Sequence, residues 1–245
     1  MKILVCISHV PDTTSKINFT DNNTKFDTNG VQFIIGPYDD YALARAVELK
    51  EATGATITVL NVGLADTEPT IRKALAIGAD DAIRVNAEPT DSFFVAAQIA
   101  AQAKEGGYDL ILMGRESIDY NSGAVHGIVG EMLGIPSISP VMKLDIEGST
   151  AKLAREIEGG KEYLEVNLPF VAGCQEPIAE WKIPNMRGIM SARTKPLKVV
   201  EPVSVDSGVK LEKYELPPAK GAVKMIPADN VQELVNLLKN EAKVL

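Results

Sequence analysis

The polar residues best placed to handle a ligand follow a short apolar run. Leu110 to Met113 reads as a buried strand that Gly114 ends. Arg115, Glu116, Ser117, Ile118, Asp119, Tyr120, Asn121, Ser122 and Gly123 then form a polar, turn-prone segment. After Ala124, apolar residues return at Val125, Ile128, Val129, Met132 and Leu133, the spacing of a helix face, which Gly134 and Pro136 close. Asp119, Asn121 and Ser122 are candidates to cap that helix. In an open parallel sheet, ligands bind in the loops at the carboxyl ends of the strands. Free N–H groups and the helix dipole at such a position attract phosphate. An ordinary strand-to-helix connection has the same pattern, so the loop by itself leaves nucleotide binding open.

Other reactive groups carry less. A second strand end holds His9, Asp12, Thr13 and Thr14, but no acid or nucleophile pairs with His9 by spacing, which favours a surface histidine over a catalytic one. Asp39-Asp40 and Asp80-Asp81 have ordinary explanations as a helix start and a turn. Cys6 and Cys174 sit far apart in apolar contexts and read as buried free thiols of a reducing compartment; no spacing suggests a metal site. GxSxG, HExxH, Walker A and GxGxxG are all absent. This suits a binding or carrier role with no catalytic residues of its own.

The net charge of -8 argues against a general nucleic-acid surface. No apolar run reaches the roughly 18–20 residues of a membrane span. The opening MKILVCI is a strand of about six residues and lacks a signal cleavage site, so a cytoplasmic protein is expected.

The elements that must position the loop alternate. Strands are expected at 2–7, 55–62, 82–85 and 110–113, and helices at 38–53, 67–77, 92–105 and from Val125. Phe93, Val95, Ala96, Ile99 and Ala103 are the expected inward face of the third helix. Residues 15–35 lack a helical period and read as a small hairpin excursion on the sheet edge. The fold class is therefore α/β, a doubly wound, mostly parallel sheet. Strands at 137–144, 151–157, 162–167 and 170–173, with no helices between them, read as an antiparallel extension. Residues 176–194 read as an ordered loop or short helix. There Met186, Ile189 and Met190 lie beside Arg187, Arg193 and Lys195, an apolar patch rimmed by positive charge that suits either a packed loop or a docking loop. Domain one is expected to span 1–195. Residues 196–245 read as an extended arm ending in an amphipathic helix at 229–242.

Several longer segments together resemble the beta subunit of electron transfer flavoprotein. They are KILVCISHVPDT at the start, GPYDDYALARAVELKE at 36–51, TIRKALAIGADDAIRV at 70–85, DLILMGRESIDYNSG at 109–123, AREIEGGKEYLEVNLPFV at 154–171 and IPNMRGIMSARTKPL at 183–197. The resemblance covers the whole chain. It implies a nucleotide-binding domain like those of the adenine nucleotide alpha hydrolases, and a heterodimer with an alpha subunit whose mobile domain holds most of the redox FAD. It implies a buried adenine nucleotide in this chain, AMP in conventional members and a second FAD in electron-bifurcating ones. The matching positions are Cys6, Gly36, Pro37, Tyr38, Asp39, Val62 and Gly114 through Val125. Ile183, Pro184, Met186, Arg187, Ile189 and Met190 match a loop that docks acyl-CoA dehydrogenases and similar partners. Arg155 and Glu156 match residues facing the flavin domain, and the arm is implied to contact the alpha subunit. Three positions depart from the family pattern: Gly36 replaces an Asn, Asn121 an Asp, and Ala124 a Gln. A nucleotide sensor or small ATP-using enzyme on the same fold would need a glycine-lysine phosphate loop. Gly114-Arg115-Glu116-Ser117 does not supply one. A purely structural partner protein would hold no nucleotide.

Overall fold

The structure, a computed structural model, describes residues 1–206 and 208–245, so Ser207 of the arm lies outside the described residues. The elements are β1 (Lys2–Cys6), β2 (His9–Pro11), β3 (Phe19–Thr20), β4 (Lys25–Phe26), β5 (Phe33–Ile35), α1 (Pro37–Thr53) and β6 (Thr56–Val62). Next come α2 (Glu68–Ile77), β7 (Asp81–Val85), α3 (Ser92–Gly106), β8 (Leu110–Gly114) and α4 (Val125–Leu133). The chain continues with β9 (Ser137–Glu147), β10 (Thr150–Ile157), β11 (Gly160–Asn167), β12 (Phe170–Cys174), α5 (Met186–Ala192), β13 (Leu197–Val200) and α6 (Val231–Asn240).

Nine strands form one sheet in the order β11-β10-β9-β12-β8-β1-β6-β7-β13. Strands β12 through β13 run parallel, and β12 is also parallel to β9; β10 and β11 continue the sheet antiparallel. The central strands are apolar almost throughout because both faces are covered. On one face, Ile3, Val5, Ile57, Val59, Leu110 and Leu112 pack with Leu43, Val47, Ile71 and Leu75 of α1 and α2. On the other, Leu4, Cys6, Leu60, Val62, Ile111 and Met113 pack with Ile99 of α3 and Val129 of α4. The sheet is thus wound on both sides, as the alternation predicts. β6 and β7 lie on one flank of β1 while β8 and β12 lie on the other. The winding reverses between β1 and β8, and the carboxyl ends of strands at such a reversal are where a doubly wound sheet has its crevice.

Helix boundaries follow local chemistry. Pro37 opens α1, and Gly54 (φ 71°) ends it by donating to the Lys50 carbonyl. Asp91 caps α3, its carboxylate accepting from the Phe94 N–H at 2.8 Å. On α3 the inward aromatic is Phe94; Phe93 is 48% exposed, because one residue turns about 100° round the helix axis.

Three expectations change. The excursion at 15–35 does not pair with the large sheet: β5 pairs with β2, and β3 pairs with β4 in a hairpin turning at Asp21, Asn22 and Asn23, all at positive φ. β12 is not part of the antiparallel extension. Its five buried residues sit between β8 and β9, where only a strand apolar on both faces fits. β13, within the stretch read as an arm, pairs with β7 as a parallel edge strand.

Contacts divide the chain into two compact units. The first is Met1–Asn18 with Asp27–Leu211, and the second is Phe19–Phe26 with Glu212–Leu245. Within the second, the Phe19 and Tyr214 rings stack at 4.7 Å and the Tyr214 N–H donates to the Asn23 carbonyl at 2.7 Å. Asn230 caps α6, accepting from the Glu233 N–H. No α6 residue is buried, and Val231, Leu234 and Val235 are exposed.

Candidate functional site

The crevice between β1 and β8 is organised by Asp39. This residue starts α1, yet its side chain is 6% exposed. Its carboxylate accepts from the Ser8 N–H at 2.8 Å, the Ser8 hydroxyl at 2.6 Å and the Gly114 N–H at 2.8 Å. One acid therefore fastens the chain leaving β1, the end of β8 and the start of α1. Burial raises its pKa, and the three donors act against that by stabilising the charged form. The sequence explanation, an acid near a helix dipole, misses this role because the donors lie far away in the chain.

Two glycines are required by the same carboxylate. A Cβ at Gly114 would stand 2.7 Å from Asp39 Oδ1 and 2.7 Å from the Tyr38 Cβ. A Cβ at Gly36 would stand 2.5 Å from Asp39 Oδ2 and would also strike the Ser8 hydroxyl. With Ser8 and Asp39 placed as they are, glycine is the residue that fits at 36 without displacing either side chain. Pro37 follows as the first residue of α1.

Tyr38 and Arg115 pair across the crevice, the guanidinium lying 5.0 Å from the ring centroid. Arg115 also donates to Gln175 Oε1 at 2.9 Å and faces Glu116 at 3.4 Å. Its Nε is buried without a hydrogen-bond partner among the described residues, as is Asn61 Oδ1 at the end of β6, whose Nδ2 donates to the Ile7 carbonyl. Arg115 thus keeps one donor beyond those it shares with Gln175 and Glu116, whereas Asn61 Oδ1 lies by Gly63 and Thr67 at the β6–α2 loop.

Beyond Arg115 the loop closes on itself. The Ser117 N–H donates to the Ser122 carbonyl at 3.1 Å, and Asp119 accepts from the Ser117 hydroxyl and the Tyr120 N–H. The Ser122 hydroxyl meets that of Ser92 at 2.6 Å. Ile118 is half-buried, and Asn121, at φ 50°, sits on the exposed tip with Asp119 and Tyr120. None of Asp119, Asn121 and Ser122 caps α4. The cap position is Ala124, with no side-chain bond, since those side chains are engaged within the loop or lie out at its tip. The first turn of α4 is accordingly bare, and open space surrounds Gly127 within it. Gly123 and Ala124 are exposed beside it, and Val125 packs on the core. Cys6 and Val62 lie buried at the ends of β1 and β6 on the α3/α4 face. Burial drives the Cys6 thiol strongly upward, so it acts as a wall, not a nucleophile.

The residues matched to docking lie elsewhere. Asn185 caps α5, accepting from the Gly188 N–H at 2.8 Å. A Cβ at Gly188 would collide with the Ala76 carbonyl, so glycine lets α5 press on α2. Ile183, Met186 and Met190 remain 75%, 74% and 68% exposed, with Ile189 and Arg187 beside them and Pro184 half-buried. Trp181, 60% exposed, adjoins them and was not singled out in the sequence, where it sits in an aperiodic stretch. Lys195 is not part of a charged rim. Its ammonium donates to the carbonyls of Leu75 and Ala79 at the end of α2. Arg72 donates to the carbonyls of Ala192 and Lys195, both at 2.8 Å, fixing the other side of the segment.

Arg155 and Glu156 stand near the tip of the β10–β11 hairpin. Arg155 pairs with Glu162 at 2.6 Å across the ladder, and Glu156 is exposed. The structure brings together Gly36, Tyr38, Asp39, Gly114 and Arg115; the residues matched to docking form a separate group.

Comparison with known proteins supplies the family. Residues 23–205 match the family model described as the electron transfer flavoprotein domain. The chain is 37% identical to the electron transfer flavoprotein subunit beta of Bacillus subtilis, with all of both chains covered. It is 35% identical to the corresponding subunit of Syntrophomonas wolfei, over 100% of this chain and 98% of that one. It is 32% identical to the mitochondrial beta subunit of Arabidopsis thaliana, again over all of both. Among the described residues no helix is long and apolar enough to cross a membrane. The chain belongs to the electron transfer flavoprotein beta-subunit family.

Proposed function

We propose that this chain is the beta half of a heterodimeric electron carrier of the cytoplasm. In this reading it holds AMP in the crevice between β1 and β8. Its surfaces meet an alpha subunit and a dehydrogenase of the acyl-CoA type, and the electrons pass on to an acceptor such as a quinone oxidoreductase. The observation that carries the nucleotide reading is the built crevice at the reversal of the sheet. There, buried Asp39 fixes three backbone segments while the Arg115 guanidinium and the first turn of α4, which has no side-chain cap, remain as groups that suit a phosphate. The donor set fits an adenine nucleotide: a guanidinium and helix N–H groups for phosphate, and aromatic Tyr38 with apolar Val62 for the base or sugar.

The residues have divided tasks. Asp39, with Gly36 and Gly114, keeps the strand ends fixed so that the backbone is preorganised. Arg115 and the α4 N-terminus attract the phosphate. Cys6 and Val62 exclude water from below. FAD, held mainly by the alpha subunit, supplies one- and two-electron redox chemistry when bound. Arg155 and Glu156 offer a charged surface to the domain that carries it. Ile183, Met186 and Met190 dock the dehydrogenase, consistent with exposed apolar side chains beside Arg187. Residues 1–195 form the nucleotide-binding domain, and the arm of 196–245, which starts at the β13 edge strand, reaches the alpha subunit through the exposed apolar side of α6.

The test is to purify the chain with its alpha partner, denature the complex and identify what it releases. One FAD and one AMP per heterodimer is the expected result. Two FAD and no AMP would replace the AMP assignment with a second flavin. Release of no adenine nucleotide would overturn the nucleotide reading.

A further inference from the structure

The crevice and the β10–β11 hairpin are joined by one buried amide. Gln175 follows β12 and is 7% exposed. Its Oε1 accepts from Arg115 Nη1 at 2.9 Å, and its Nε2 donates to Glu156 Oε2 at 2.7 Å. The amide is polarised: a guanidinium can only donate and a carboxylate can only accept, so reversing it would break both bonds. Its backbone is also fixed. The Gln175 N–H donates to the Val141 carbonyl at 3.0 Å, and the Gln175 carbonyl accepts from the Ile178 N–H at 3.0 Å. Val141 is where two ladders change register, pairing with Arg155 on one side and Cys174 on the other. Those irregularities bring residue 156 of the hairpin within reach of residue 175. The Arg115 N–H in turn donates to the Cys174 carbonyl at 2.9 Å.

We infer that Gln175 is a positioning residue that couples occupancy of the crevice to the exposed carboxylate of Glu156. An anion drawn to Arg115 changes how that guanidinium shares its protons with Gln175, and the polarised amide passes the change to Glu156. Coupling of this kind runs both ways, so removing the Glu156 carboxylate alters the affinity of the crevice for its anion. The inference rests on the nucleotide reading above.

The test uses the intact complex with its alpha partner, stripped of nucleotide and titrated with AMP. Glu156→Ala lies on the surface and keeps the fold, yet the AMP dissociation constant is expected to change about fivefold or more. Gln175→Met preserves length and packing while removing both bonds. In that background Glu156→Ala is expected to change the constant no further. A merely structural glutamine would leave the two effects independent. Failure of the wild-type complex to bind AMP would overturn the nucleotide reading and this inference with it. Wild-type binding with an unchanged constant in Glu156→Ala, or independent effects in the double variant, would overturn the coupling alone. Should Gln175→Met fail to fold, the single Glu156→Ala titration decides the matter.

Discussion

The strand-end crevice and the segment around α5 belong to the same compact unit but are built by opposite means. In the crevice, a buried carboxylate is satisfied by donors from distant parts of the chain; around α5, apolar side chains stay in solvent. A buried carboxylate with three donors holds its neighbours in one geometry, because any other leaves donors unpaired. Exposed Ile183, Met186 and Met190 leave apolar surface in solvent, and under the docking proposal a partner covers it. Stability should therefore track the first region and partner transfer the second.

The strongest challenge to this contrast is Asp39→Ala, which strands the Ser8 N–H, the Ser8 hydroxyl and the Gly114 N–H. A loss of about 3–4 kcal/mol is expected, at ~1–3 kcal/mol per stranded group with partial relaxation. At ~2–4 °C per kcal/mol this lowers Tm by roughly 6–15 °C in a thermal scan. Gly114→Ala, which drives a methyl into Asp39 and Tyr38, should cost about 2 kcal/mol, read as a shift in the urea midpoint at constant m. A stability equal to the native chain's in either variant would remove Asp39 from the centre of the crevice.

Asp40 sharpens the comparison within a single dipeptide. Burial pushes its carboxyl up to about 6. Lys73, 4.0 Å away, opposes this and the charge of Asp39 reinforces it. The folded state therefore holds the proton more tightly than the unfolded chain. This group's contribution is full below about pH 4 and is lost as the pH rises to about 6. Asp40→Asn should flatten the pH dependence of the urea midpoint across that window, by up to about 3 kcal/mol. An unchanged slope would show that Asp40 is not the group responsible. The smallest stability effect belongs to Ile183→Ala: within ~0.5 kcal/mol of the native chain, as for exposed sites, with a clear drop in electron transfer to a dehydrogenase. An equal loss of stability and transfer would mark Ile183 as part of the packing and erase the contrast.

The alternation of strands and helices was legible because each element carries its own signal: apolar runs for β1, β6 and β8, Pro37 before α1 and Gly54 after it. The crevice loop was legible for the same reason. What escaped was non-local. Asp39 meets donors from Ser8 and Gly114, and nothing in GPYDDY distinguishes it from Asp40. Lys195 reads as a surface cation until α2 presents its last carbonyls to it. β12 reads as another hairpin strand, and only its place between β8 and β9 explains why both its faces are apolar. β13 is too short to announce itself; it is a strand because β7 offers it an edge.

That edge strand has a consequence for the segment that carries Ile183 and Met186. β12 and β13 sit five strand positions apart, about 24 Å at ~4.8 Å per strand, and residues 175–196 must span the gap across α2. The segment is thus a strap buckled at both ends, one end in the middle of the sheet and the other at its rim. The rim is where fraying starts. Amide exchange in β13 should then report the slack in the strap: a partner that grips Ile183 and Met186 will slow exchange at Leu197–Val200 without touching it.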